Sequence, residues 1–235
     1  MTETTSPLPH AVVTGASSGI GRAIVQRLLQ DGWRVTGLCR SLPEDTHPQL
    51  RIVQTDVSDI DRLPKVCEQI TASGAPVQAF VHAAGFMRTA PLGELDSDNG
   101  LAMWRLHVQA AEVMANTLLP HMPDGARIVL IGSRTANGSP TRSQYAATKA
   151  ALVGMARSWA AELAPRGITV NVLAPGATDT PFLRDPARAQ TQAKVPPIGR
   201  FVKPEEVAGL AAFLLGPLGG AMTGQHLVMC GGASL

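Results

Sequence analysis

The chain has 235 residues, 20 basic against 18 acidic for a formal charge of +2, with 16% of its residues charged. A length in this range suits one sheet-based α/β domain, so 1–235 reads as a single domain with one sizeable core. The even charge balance, with no block of either sign, argues against a nucleic-acid or anionic-membrane surface and leaves a small molecule as the expected partner.

In chain order, His10 to Thr14 is a short apolar run that gives way to GASSGIG, after which GRAIVQRLLQDG carries helical periodicity up to a glycine. This is a strand, a tight turn and a helix. Arg34 to Cys39 and Arg51 to Gln54 are further strands, and Ser58 or Asp59 caps a helix running toward Ser73. Ala79 to His82, Ala126 to Ile131 and Ile168 to Leu173 are three more strands, separated by helical segments at Ser97 to His121 and Ser143 to Ala164 whose ends Pro120 and Pro165 mark. Pro175 to Pro204 lacks periodicity and reads as a functional loop, with a substrate loop at about 177–203. Glu205 to Leu215, after Pro204, is a last helix and His226 to Met229 a last strand. Strands alternating with helices imply crossovers and a parallel sheet, an α/β class.

Cys39, Cys67 and Cys230 are too scattered for a disulfide framework and suit a reducing compartment. The opening MTETTSPLPH has neither a basic start nor an apolar run, and no stretch approaches the ~18 consecutive apolar residues of a membrane span. The expected location is the cytoplasm.

Tyr145 and Lys149 stand four residues apart in a helical stretch, so both side chains leave one face. A phenol with a reference pKa of about 10 carries protons poorly at neutral pH, and a neighbouring ammonium shifts it toward a working value. Thr14-Gly15-Ala16-Ser17-Ser18-Gly19-Ile20-Gly21 sits where a strand becomes a helix, the context in which bare backbone and helix N–H groups hold a pyrophosphate. The second strand ends in Leu38-Cys39-Arg40 without the acid that grips an adenosine ribose in NAD enzymes, so Arg40 facing a 2′-phosphate favours NADP, with NAD the other option. Asp56 either bonds the adenine or caps the next helix. Ser133 ends the fifth strand on the rim where parallel sheets bind ligands. Phe86, Met87, Arg134, Thr135 and Phe182 follow strand ends and are pocket candidates. Arg184, Arg188 and Lys194 either attract a negatively charged substrate or form a solvated face.

Together TGASSGIG at 14–21, TDV at 55–57, HAAG at 82–85, Ser133, Tyr145 with Lys149, and NVLAPGATDTP at 171–181 resemble the short-chain dehydrogenase/reductase family, in its shorter single-domain branch, over nearly the whole chain. The resemblance implies a Rossmann-type doubly wound parallel sheet of about seven strands, order 3-2-1-4-5-6-7, with helices on both faces. It implies hydride transfer between a nicotinamide and a ketone or secondary alcohol, 3-oxoacyl thioesters included. By the same resemblance, Gly15, Ser17, Ser18 and Ile20 surround phosphates and ribose, Asp56 and Val57 the adenine, and Ala83, Ala84 and Gly85 the adenosine side of the cleft. Pro175, Gly176, Thr178 and Thr180 hold the carboxamide; Tyr145 exchanges the substrate proton, Ser133 holds the substrate oxygen, and Lys149 binds the nicotinamide ribose. No metal enters this reading.

The chain departs from the family pattern at two histidines. His107 stands where the family has an asparagine in the proton relay, and is either a proton carrier or a structural histidine; His82 replaces an asparagine that ties the sheet, and reads as structural. The family implies a homodimer or homotetramer, with Ala146, Ala150, Ala151 and Gly154 allowing close helix packing. The other reading is a cofactor-binding regulator or scaffold that kept the fold without turnover.

Overall fold

The computed structural model describes residues 8–43, 46–185 and 193–235; Arg188 and part of the expected substrate loop lie outside them. The elements run β1 (His10–Thr14), α1 (Gly19–Gln30), β2 (Arg34–Cys39), β3 (Leu50–Gln54), α2 (Leu63–Thr71), β4 (Ala79–His82), α3 (Ser97–Trp104), α4 (Ala110–Leu118), β5 (Arg127–Ile131), α5 (Ser143–Leu163), β6 (Thr169–Pro175), α6 (Pro204–Leu215) and β7 (His226–Met229). All strands join one sheet in the order β3-β2-β1-β4-β5-β6-β7, and every neighbouring pair is parallel.

Strand side chains alternate between the two faces. Val12, Phe80, Ile128, Leu130, Val170 and Val172 point into one core with residues of α2, α4 and α5. Their neighbours Ala11, Val13, Ala79, Val81, Val129, Ile131 and Leu173 enter a second core with α1 and α6. Both faces are therefore covered, which explains why the central strands read as unbroken apolar runs rather than alternating ones. Each large side chain sealed this way, such as the fully buried Phe80, contributes roughly 1.5–3 kcal/mol.

Two expected helices differ from their sequence reading. Neither Ser58 nor Asp59 starts α2. The Asp56 carboxylate accepts from the Ser58 N–H at 2.9 Å and the Ser58 hydroxyl at 2.7 Å, a local turn that competes with helix, and α2 begins only at Leu63 with proline in its first turn. Asp56 therefore does not cap it. The stretch Ser97 to His121 is not one regular helix: a π-helical turn at Arg105–Gln109 separates α3 from α4, and Leu119–His121 closes as a 3-10 turn. Among the described residues no helix is long and apolar enough to cross a membrane.

Candidate active site

The sheet order fixes where a ligand can sit. β1 and β4 are neighbours although β2 and β3 separate them in sequence, and open parallel sheets bind ligands in the crevice beyond the strand carboxyl ends at such a reversal. The loops after β1 and β4 close on each other there: a Cβ on Gly15 would lie 3.0 Å from the Ala84 Cα. Gly15 and Gly19 adopt φ of 68° and 53°, left-handed values that favour glycine. A Cβ on Gly21 would run into the Gly15 carbonyl oxygen. Ser18 is the N-cap of α1 and its side chain makes no capping bond, so Ser18, Gly19 and Ile20 present the positive end of the helix to the cleft they line. Gly21→Ala is expected to cost about 1–3 kcal/mol through overpacking against backbone, read as a lowered Tm; an unchanged Tm would mean that the turn yields freely.

Two buried histidines brace the crevice from beneath. The Thr14 hydroxyl accepts from the N–H groups of Ala83 and Ala84 at 3.0 and 3.1 Å, so its own proton goes to His82 Nδ1 at 3.1 Å. His82 Nε2 in turn donates to the Leu106 carbonyl at 3.0 Å. This chain ties β1, β4 and the π-helical turn together, as the structural reading of His82 anticipates. Burial, then the Lys149 ammonium, pushes His82 down to about 3, against the pull of the Leu106 carbonyl, so it stays neutral.

His107 sits in that π-helical turn, fully buried. Its Nε2 accepts from the Phe86 N–H at 3.2 Å, which assigns the ring proton to Nδ1, bonded to the Thr148 hydroxyl at 2.8 Å; Thr148 passes its proton to the Tyr145 carbonyl at 2.8 Å. The imidazole edge meets the Tyr145 ring at 5.5 Å between centroids. Burial first, then the Lys149 ammonium, holds His107 well below its ordinary pKa. It is absent from the cleft walls, unlike the other residues expected to act in catalysis or to hold the cofactor; Arg184, offered as a substrate-attracting cation, is also absent from them and pairs with Asp179 at 2.6 Å.

Above this floor stand Ser133, Tyr145 and Lys149, exposed by only 8%, 8% and 4%, and all three line the cleft. The Ser133 Oγ accepts from the Thr135 N–H at 3.1 Å, leaving its own proton available to a ligand oxygen. Lys149 lies one turn beyond Tyr145 on α5, its Nζ 5.8 Å from the phenol ring centroid and donating to the Ile131 carbonyl at 2.8 Å. Burial lowers the lysine to about 7. A hydroxyl to hold an oxygen, a phenol to move a proton and an amine of adjustable charge are what acid–base work on a carbonyl or alcohol requires.

Gly15, Ser18, Ile20, Ala83, Ala84, Gly85, Pro175, Gly176, Thr178 and Thr180 line the same cleft. Ser17, Arg40, Asp56 and Val57 line its continuation beyond β2. Burial raises the Asp56 carboxyl, but the Ser58 hydrogen bonds and the Arg40 guanidinium outweigh it and keep the group below its usual range. Of the pocket candidates, Met87, Arg134, Thr135 and Phe182 face the catalytic end and Phe86 the other. Sequence reasoning missed Arg22, one helical turn beyond Ser18 and on the Arg40 side, and Arg142, three residues before Tyr145. The Arg142 spacing was a usable signal; the curled C-terminal Gly232, Ala233 and Leu235 that complete the wall carried none.

A family profile described as Enoyl-(Acyl carrier protein) reductase matches residues 15–234. The chain is 31% identical to the 3-oxoacyl-[acyl-carrier-protein] reductase FabG of Thermotoga maritima, over 94% of this chain and 96% of that protein. Among solved structures, a short chain dehydrogenase from Burkholderia cenocepacia in complex with NADP is 33% identical with a TM-score of 0.85, covering 97% of this chain and 98% of that one. A blue fluorescent protein from a metagenomic library, in complex with NADPH, is 33% identical with a TM-score of 0.86 and the same coverage of both chains.

Proposed function

The chain belongs to the short-chain dehydrogenase/reductase family of oxidoreductases, and we propose on that premise that it is an NADPH-preferring enzyme that interconverts a ketone and a secondary alcohol. The observation that carries the reading is the buried trio Ser133, Tyr145 and Lys149 facing one cleft with a glycine cradle at its other wall. That cradle suits a dinucleotide, since added Cβ atoms on Gly15 and Gly21 would meet backbone and the head of α1 supplies amides to phosphate. A bound nicotinamide supplies or accepts the hydride.

In the reducing direction Ser133 donates a hydrogen bond to the substrate oxygen and keeps its proton, while Tyr145 delivers the one proton that oxygen takes up. Lys149, beneath the phenol, carries the positive charge that makes the phenolate accessible and binds ribose hydroxyls. Pro175, Gly176, Thr178 and Thr180 orient the carboxamide. His107 acts as a positioning residue: with Nε2 and Nδ1 both engaged it fixes the loop at Phe86 and, through Thr148, the first turn of α5. Three buried free cysteines suit a reducing cytoplasm. The Ala150 and Gly154 positions are exposed on α5 and suit packing against a second copy, whereas Ala146 is buried within this chain.

Preference for NADPH rests on Arg40, which follows β2 where no acid stands, with Arg22 and Ser41 on the same wall. Bonds between a guanidinium and phosphate are worth about 1.5–3 kcal/mol. Arg40→Ala is therefore expected to raise the KM for NADPH about 10- to 100-fold while that for NADH moves little. Equal shifts for both cofactors would remove Arg40 from phosphate recognition. The function itself is tested by following nicotinamide absorbance with NADPH and a panel of ketones that includes a 3-oxoacyl thioester. Cofactor binding without turnover of any ketone, or of any secondary alcohol in reverse, would instead favour a regulator of the same fold.

A further inference from the structure

Two arginines flank the catalytic trio. Arg134 follows Ser133 directly, and its Nη1 donates to the Ala233 carbonyl at 3.2 Å, which holds it beside the C-terminal residues. Arg142 is the N-cap residue of α5, three positions before Tyr145. Both are partly buried and both line the cleft, as does Lys194. No Asp or Glu lines this half of the cleft among the described residues. Of the acids close by in sequence, Asp179 is paired with Arg184 at 2.6 Å, and Asp185, 3.6 Å from Arg88, borders the other half.

The backbone is strained at this point. Thr141 has φ of 63°, the one described residue other than glycine with a positive value. A β-branched residue in that region costs on the order of 1–3 kcal/mol, and such strain concentrates at ligand-holding sites. The guanidinium it presents is disfavoured by burial and then by Arg134, with Tyr145 acting in the opposite sense. Two cations that repel each other in a partly desolvated wall gain most from an anion that bridges them.

Building on the oxidoreductase reading, we propose that the substrate carries an anionic group, a carboxylate or a phosphate, gripped by Arg134 and Arg142 while its carbonyl lies against Ser133 and Tyr145. The cofactor's own phosphates do not account for these cations. The glycine cradle follows β1, whereas Arg134 and Arg142 follow β5, two strands further along the sheet, and Arg134 reaches still further, to the residues after β7. Lys194, which lines the same cleft, adds to the positive field.

The test pairs substrates that differ chiefly in charge. With 4-oxocyclohexanecarboxylate against its methyl ester, and a 3-oxoacyl phosphopantetheine thioester against its unphosphorylated pantetheine counterpart, the wild-type enzyme should favour at least one anionic member in kcat/KM by about 10- to 100-fold. Whichever pair shows the preference distinguishes carboxylate from phosphate. Arg142→Ala and Arg134→Ala should each shrink that ratio about tenfold or more, Arg142→Lys should restore part of it, and added salt should weaken it. A binding arm that needs no turnover uses NADP-loaded protein titrated with cyclohexanecarboxylate, cyclohexanecarboxamide and phosphopantetheine. Anion-selective binding lost in both alanine variants supports the subsite even if no ketone reacts, which separates its fate from that of the catalytic reading. Ratios near one in both pairs together with no selective binding of either anion, or variants that raise the KM for NADPH instead, would overturn it.

Discussion

Tyr145→Phe should lower kcat by about 10²- to 10⁴-fold, the range associated with losing a positioned general acid, while leaving NADPH affinity and Tm close to wild type. The substitution deletes one oxygen and keeps the ring. That ring packs with Met87 and Met103, with Phe86 and Phe182 at the edge of the cluster, and meets the His107 edge at 5.5 Å, contacts that phenylalanine reproduces. The chemistry cannot be reproduced, because no other phenol exists in the chain and the two nearest imidazoles are neutral and fully hydrogen-bonded. Single-turnover absorbance at saturating NADPH isolates the step from product release, and fluorescence titration measures cofactor binding. Turnover within about tenfold of wild type would assign proton transfer to another group.

Most of this site was legible because its chemistry sits at strand ends, and strand ends are what short apolar runs reveal. β1, β2, β4 and β7 fall on their sequence-expected bounds. Gly15, Ser133 and Pro175 then fall at the carboxyl ends of β1, β5 and β6, which the parallel order brings to one edge. What stayed hidden depends on contacts between distant segments. The π-helical turn at Arg105–Gln109 leaves no mark in local periodicity, because its anchors are His82 on the Leu106 carbonyl and His107 on Phe86 and Thr148. Such turns frequently mark functional sites, and here the substitution of two expected asparagines by His82 and His107 was the only sequence trace of it. The late start of α2 has a similar origin: Asp56 spends its carboxylate on Ser58, so a residue that looks like a helix cap makes a turn at the cleft. Arg142 stands a usable three residues before Tyr145, but that it lines the same cleft as Arg134, eight positions earlier, is visible only in the fold.

Lys149→Met should abolish most activity and yet stabilise the protein without cofactor at neutral pH. The amine is 4% exposed, and burial lowers it to about 7 from the roughly 10.4 of an unfolded lysine. Below pH 7 the lysine is charged both folded and unfolded, so the native state bears the full cost of a buried ammonium. Between about pH 7 and 10 the native protein sheds a proton that the unfolded chain keeps; the unfolded state binds more protons, and stability rises with pH across that window. Methionine matches the length of the side chain without the charge. Its advantage should amount to on the order of 2–4 kcal/mol at pH 7, after subtracting about 1 kcal/mol for the lost bond to the Ile131 carbonyl. The gap in Tm should then close as pH approaches 10, because wild type improves while the variant stays level with respect to this group. Turnover should move the other way, falling about 10²-fold or more, since the phenol of Tyr145 loses the cation 5.8 Å from its ring centroid. Paired melts at pH 6.5, 8 and 9.5 decide the matter. A variant less stable than wild type by the same amount at every pH would show that Lys149 is held for packing, and the opposition between stability and catalysis at this position would be gone.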